Sequence, residues 1–116
     1  MGDWGAQPWD SDEAADWFQR FWKQGWSLVE QEVEEFDPAQ ERYDSLRAAA
    51  YVLATFGGVY TAPTSMREKL PGLIDKSESR LYDLLQSSDF ADIYGNDPDV
   101  RVNIESQIAA LRSLHG

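Results

Sequence analysis

The chain has no cysteine and a single histidine, His115, beside its last residue. The first absence removes disulfides, thiolate metal sites and cysteine nucleophiles. It permits a reducing compartment, so a cytoplasmic setting is expected. The second leaves no anchor for a Ser-His-acid arrangement, because a histidine at a frayed end is solvent-exposed and unpositioned. Positive charge is also scarce: 10 Lys and Arg face 21 Asp and Glu, for a net charge of -11. Phosphate recognition needs a basic footprint, so neither nucleic acid nor an anionic membrane surface is expected as a partner. Long apolar runs are missing, and nothing approaches the roughly 20 residues needed to cross a bilayer. The N-terminus opens on an acid and a tryptophan in place of basic residues and an apolar run, so no signal peptide is read there. No Gly-x-Gly-x-x-Gly follows a strand and no phosphate loop occurs, so no cofactor is expected, and Gly57-Gly58 reads as a helix stop. Strand series are absent too: Tyr51-Val52-Leu53 has strand-like composition but lies inside a longer helical period.

What is present is enough for a core. A length of 116 residues fits one domain, able to bury roughly two thirds of its unfolded surface. Apolar residues make up 42% of the chain and aromatics 13%, with five each of Trp, Tyr and Phe. Four tryptophans, Trp4, Trp9, Trp17 and Trp22, crowd the first 22 residues. Tryptophan is costly to expose, so this stretch is expected to be a structural arm, with a docking patch as its alternative. Gly2, Gly5 and Pro8 make residues 1–10 non-helical, and the arm should pack on the body, with Trp4 and Trp9 over the first or the central helix.

Helical periods then follow one another. Asp10 is the expected N-cap of a first helix over 11–24, with Glu13 three positions on and Ala14, Trp17, Phe18, Phe21 and Trp22 forming its apolar face. Gly25 interrupts, either as a true break before a shorter helix over 28–36 or as one glycine inside a long helix. Asp37-Pro38 is the clearest start signal, a cap followed by proline at the first helical position. It should open a helix over 39–56 whose stripe is Tyr43, Leu46, Ala50, Leu53 and Ala54, the central and most buried of the set. Residues 59–72 are ambiguous, with Thr64 or Ser65 as caps of a short helix. A helix over 73–87 carries Leu73, Leu81, Leu84 and Leu85, and Ser88-Asp89 begins a turn around Phe90. Asp97-Pro98 repeats the start logic for a last helix over 98–113, with Val100, Ile104, Ile108, Leu111 and Leu114 inward. The fold class is therefore all-α: a small orthogonal or irregular bundle of five to six helices, residues 1–116 forming one helical domain with 1–10 as its arm.

Met1-Gly2, Trp4-Gly5, Trp9, Asp12, Ala14, Asp16 and Trp17 form a pattern that resembles a bacterial family of small helical proteins of unknown function, DUF4259. Its members open Met-Gly-x-Trp-Gly and continue to Asn-Asp-x-Ala-x-Asp-Trp. Ser11 stands where the family has Asn, and Trp9 where it has Phe. The segment from Leu46 to Ala54 is similar to the family's Ala-rich helix. The resemblance implies a small helical fold and assigns no activity; small size, acidity and bacterial character add immunity-like proteins near toxin systems as a possible role.

Chemistry must therefore come from acids. Asp12 and Asp16, and likewise Glu30 and Glu34, stand four apart on one helix, where two carboxylates can share a divalent cation or one can hold a proton. The plain alternative is a solvated helix face. Asp16 beside Trp17 also reads as a partner for an indole N–H. Asn96, Asp97 and Asp99 offer turn oxygens, but capping accounts for Asp97. Glu30, Glu32, Glu34, Glu35, Asp37 and Glu41 concentrate a negative field that would steer a basic protein, such as a nuclease toxin whose phosphate site the acids fill. The leading expectation is a noncatalytic interaction module, monomeric or homodimeric. Its alternatives are a divalent-metal protein using Asp12 and Asp16, and a structural or regulatory subunit.

Overall fold

The computed structural model of the chain describes residues 11–56 and 64–114. The described residues are all-α. Helix α1 spans Asp12–Glu34, and a 3-10 turn at Pro38–Gln40 leads into α2, Tyr43–Phe56. Then come α3 (Thr64–Arg67), α4 (Leu70–Gln86), α5 (Ser88–Tyr94) and α6 (Pro98–Ser113). No strand occurs among them. The arm with Trp4 and Trp9, Gly57-Gly58 and His115 lie outside the described residues.

Helix α1 is one unbroken rod of 23 residues, so Gly25 is a glycine within a helix and the expected second helix over 28–36 is its continuation. The balance explains why. A glycine in a helix interior costs roughly 1 kcal/mol against alanine. Trp22, Trp26, Val29 and Val33 lie on one buried stripe running through that position. Each aliphatic side chain of such a stripe contributes roughly 1.5–3 kcal/mol by burial, so the stripe outweighs the glycine. The cap at the start is Ser11, whose hydroxyl accepts the Ala14 N–H at 3.1 Å, and not Asp10. The inner face also begins later than the tryptophan pattern suggests. Trp22 is fully buried, whereas Trp17 is 53% exposed, stacked on Phe21 with ring centroids 5.9 Å apart.

Asp37-Pro38 caps a turn and not the central helix. The Asp37 carboxylate accepts the Ala39 N–H at 3.0 Å, but the turn ends at Glu41, which is left-handed with φ 55°. Residues 37–42 are all exposed, so no buried side chain favours extending a helix through them. Burial resumes at Tyr43, and with it α2, which carries Leu46, Ala49, Ala50 and Leu53 inward. The reversal lays α2 antiparallel to α1. Phe36 meets Tyr43 near the turn at 5.1 Å between centroids, and Phe21 meets Phe56 at the far end at 5.3 Å.

The centre of the bundle is α4 and not α2. Helix α4 packs against α1, α2, α3, α5 and α6, whereas α2 packs against α1, α4 and α6 and meets α5 through tyrosine–aspartate hydrogen bonds. It starts one turn before its expected position, at Leu70, because Pro71 is tolerated in a first turn and because Leu70, Leu73 and Ile74 are all buried. Helix α5 is capped by Ser87, whose hydroxyl accepts the Asp89 N–H at 3.0 Å, and ends at left-handed Gly95. Helix α6 occupies the span its Asp-Pro signal predicts, with the Asp97 carboxylate accepting the Asp99 N–H at 2.8 Å and Ile104, Ile108 and Leu111 buried.

Polar latches fix the register between helices. The Tyr43 hydroxyl donates to Asp89 at 2.6 Å, tying α2 to α5, and the Tyr94 hydroxyl donates to Asp44 at 2.6 Å, tying them again. Arg47 donates to Gln107 at 2.9 Å and to Asn103, and Gln107 returns a bond to the Arg47 carbonyl at 3.0 Å, joining α2 to α6. Among the described residues three buried side-chain groups lack hydrogen-bond partners: the Trp22 indole nitrogen, the hydroxyl of fully buried Ser77 and the Nε of Arg80.

Candidate functional site

The acidic segment divides into two chemical populations. Glu30, Glu32 and Glu34 lie on α1, and each faces a cation from a neighbouring element. Glu30 pairs with Lys69 at 3.6 Å, Glu32 with Arg42 at 2.5 Å, and Glu34 with Lys76 on α4. These three acids stitch α1 to the turn before α2 and to α4. The pairs are partly solvated, where such contacts contribute about 0–1 kcal/mol each, so they set register more than stability. The Glu30 and Glu34 carboxylates are thus each committed to a lysine.

Glu35, Asp37 and Glu41 behave differently. All three are exposed, and among the described residues none meets a Lys or Arg side chain within ion-pair distance. Asp37 is held by its cap and Glu41 by its left-handed backbone, so both project from a fixed turn. A cleft of about 350 Å³ opens beside them, lined by Gln31, Glu32, Glu35, Phe36, Asp37, Gln40 and Arg42. Of the six acids, three are thus paired within the chain and three, among the described residues, are not; the latter lie at the C-terminal end of α1 and on the turn after it.

A second depression adjoins the first. Between α1 and α2 runs an apolar groove of about 370 Å³, lined by Phe21, Gly25, Leu28 and Val29 of α1 and by Ala48, Ala49 and Val52 of α2. Glu32 lines both groove and cleft, so the two depressions share a border. Leu28 is 68% exposed in the groove lining, and a Cβ at Gly25 would meet no heavy atom within 4 Å. The small residues at positions 25, 48 and 49 keep the groove open. The sequence reading missed it by treating Gly25 as a possible boundary. The same step hid Trp26, which stands four residues after Trp22 and is buried beside it, ring centroids 5.6 Å apart. Extending the helical period through Gly25 would have found both.

The other candidates are placed as follows. Asp12 and Asp16 are exposed in the first two turns of α1. Among the described residues no group of three or more His, Asp or Glu side chains converges in a way that could hold a metal ion. Two tyrosine hydroxyls hold their protons more tightly than usual. Burial pushes the Tyr43 hydroxyl well above its ordinary value, and its hydrogen bond to Asp89 adds to the rise. Burial, followed by the Asp44 contact, pushes Tyr94 up to about 12. Both phenols are therefore protonated donors at neutral pH, serving as latches and not as bases.

No curated protein and no solved structure matches the chain. One family does, and it covers the whole bundle: the match to the family described as "Domain of unknown function (DUF4259)" runs over residues 2–112, so the chain belongs to the DUF4259 family.

Proposed function

We propose that the chain is a noncatalytic protein-interaction module whose acidic corner receives a basic partner. The observation that carries this reading is the division of the acids: Glu30, Glu32 and Glu34 are matched by cations of the same chain, while Glu35 at the end of α1 and Asp37 and Glu41 on the turn after it meet none among the described residues. A net charge of -11 extends the field well beyond contact distance and raises the encounter rate with a cationic protein, more so at low salt. Neutralisation of a basic toxin is the specific form of this role, with carboxylates occupying a site built for phosphates. Among the described residues no helix is long and apolar enough to cross a membrane.

The test is affinity capture from the native lysate with two baits, the natural chain and a Glu35→Lys/Glu41→Lys variant. Both positions are exposed and outside the ion pairs, so the variant should keep its fold and melting temperature. The natural bait should retain a basic protein in stoichiometric amount, released by salt and lost from the variant. Equal retention by both baits would refute the role of the corner.

A further inference from the structure

We propose that the α1–α2 groove and the acidic cleft that borders it together seat one amphipathic basic helix from the partner. This rests on the interaction reading above and specifies the partner's chemistry. On α1 the groove presents Phe21, Gly25, Leu28 and Glu32, at spacings of four, three and four, and on α2 it presents Ala48 and Val52, also four apart. The α1 side rises roughly 16 Å from Phe21 to Glu32, about three turns of a facing helix. That length accommodates apolar anchors at i, i+4 and i+7 of a bound helix, about two turns, with one further turn reaching the Glu32 end. Gly25, Ala48 and Ala49 in the lining are small, which lets a third backbone approach closely, and Leu28 at 68% exposure gives the occupant an apolar side chain to cover.

Charge selects among the occupants. At the Glu32 end the groove passes into the cleft with Glu35 and Asp37. A second copy would bring another net charge of -11 against it. The chain's own residues 1–10 contain Asp3 and Asp10 and no Lys or Arg. A helix with a leucine-like stripe flanked by Lys or Arg fits both depressions, the stripe over Gly25 and the cations at Glu35 and Asp37.

The probe is a helix-forming peptide of about 15 residues, built of leucine and lysine with the leucines on one face. Its controls are the same composition in shuffled order and a version with glutamate for lysine. Titration calorimetry on the full chain should show saturable one-to-one binding of the patterned lysine peptide, with at least tenfold weaker binding by both controls. Gly25→Leu, whose side chain enters open space, should keep the helical circular dichroism and weaken binding at least tenfold. Glu35→Lys/Glu41→Lys should weaken it and flatten its salt dependence. Loss on the charge variant with no change on Gly25→Leu overturns the groove and leaves the acidic corner standing. Equal binding of the shuffled peptide, or no binding of the patterned one at low salt, also overturns the proposal. Two results would assign the groove to another occupant and overturn it as well: a tenfold gain in peptide affinity on Trp4→Ala, which indicates the chain's own arm, and a dimer in sedimentation that Gly25→Leu dissociates, which indicates a second copy.

Discussion

Replacing Gly25 by alanine should stabilise the chain, by an amount that can be worked from the structure. Gly25 sits in the interior of a 23-residue helix, where the missing Cβ costs roughly 0.8–1 kcal/mol in helix propensity. A Cβ placed there meets nothing within 4 Å, so there is no steric term to subtract. The position borders the groove and is only partly buried, so a single methyl adds little by burial. The net expectation is a gain of about 1 kcal/mol. At an unfolding entropy of about 2.1 cal/mol/K per residue, that raises Tm by about 4 °C in a chain of 116 residues. Urea unfolding followed by circular dichroism and by tryptophan fluorescence should show a higher midpoint at unchanged slope. A loss of stability would refute the reasoning, because it would mean that Gly25 takes a backbone conformation alanine cannot share and that α1 is two helices. A gain would show the glycine costing stability while leaving the groove open.

Three further outcomes follow from particular contacts. Trp22→Ala should cost about 3–5 kcal/mol, a large part of a domain's total stability, whereas Trp17→Ala, which loses an exposed stack on Phe21, should cost about 1 kcal/mol or less; denaturant midpoints separate the two. Asp97→Ala removes the cap of α6 and should cost about 1 kcal/mol, while Asp37→Ala, which caps only a three-residue turn, should cost under about 0.5 kcal/mol in the same assay. Tyr43 and Tyr94 hold their protons more tightly in the folded chain than in the unfolded one, so stability is fully present below pH 10 and falls as pH rises from there through about 12, where Tyr94 titrates; in a Tyr51→Phe/Tyr60→Phe/Tyr82→Phe variant, which keeps only the two latch tyrosines, tyrosinate absorbance should rise in step with unfolding, and its rise near pH 10 in a still-folded chain would contradict the latches.

How much could be read in advance depended on whether the information was local. The second Asp-Pro pair and the period Val100–Ile104–Ile108–Leu111 located α6 over residues 98–113, because cap, proline and apolar stripe coincide there. The first Asp-Pro pair has the same local chemistry without the stripe: residues 37–42 bury nothing, and the capped turn ends at Glu41. At Gly25 the local signal left two readings open, and the buried stripe that continues past it selects the one with the glycine inside a long helix. Among the candidate site residues, acidity was legible, but which acids are already matched was not. The partners Arg42, Lys69 and Lys76 stand 10, 39 and 42 positions from the glutamates they meet.

The sequence by itself determined the class of structure, the acidic character, the aromatic core and the chemistries without residues to support them, because composition, caps and periodicity act over one or two helical turns. The tertiary structure decided three things that no local rule reaches. It put α4 at the centre, left Trp17 outside while burying Trp22 and Trp26, and opened a groove between α1 and α2 against an acidic corner. Each depends on which helix faces which. That choice is set by the summed fit of many buried side chains from distant parts of the chain, so it exists only once the helices have packed.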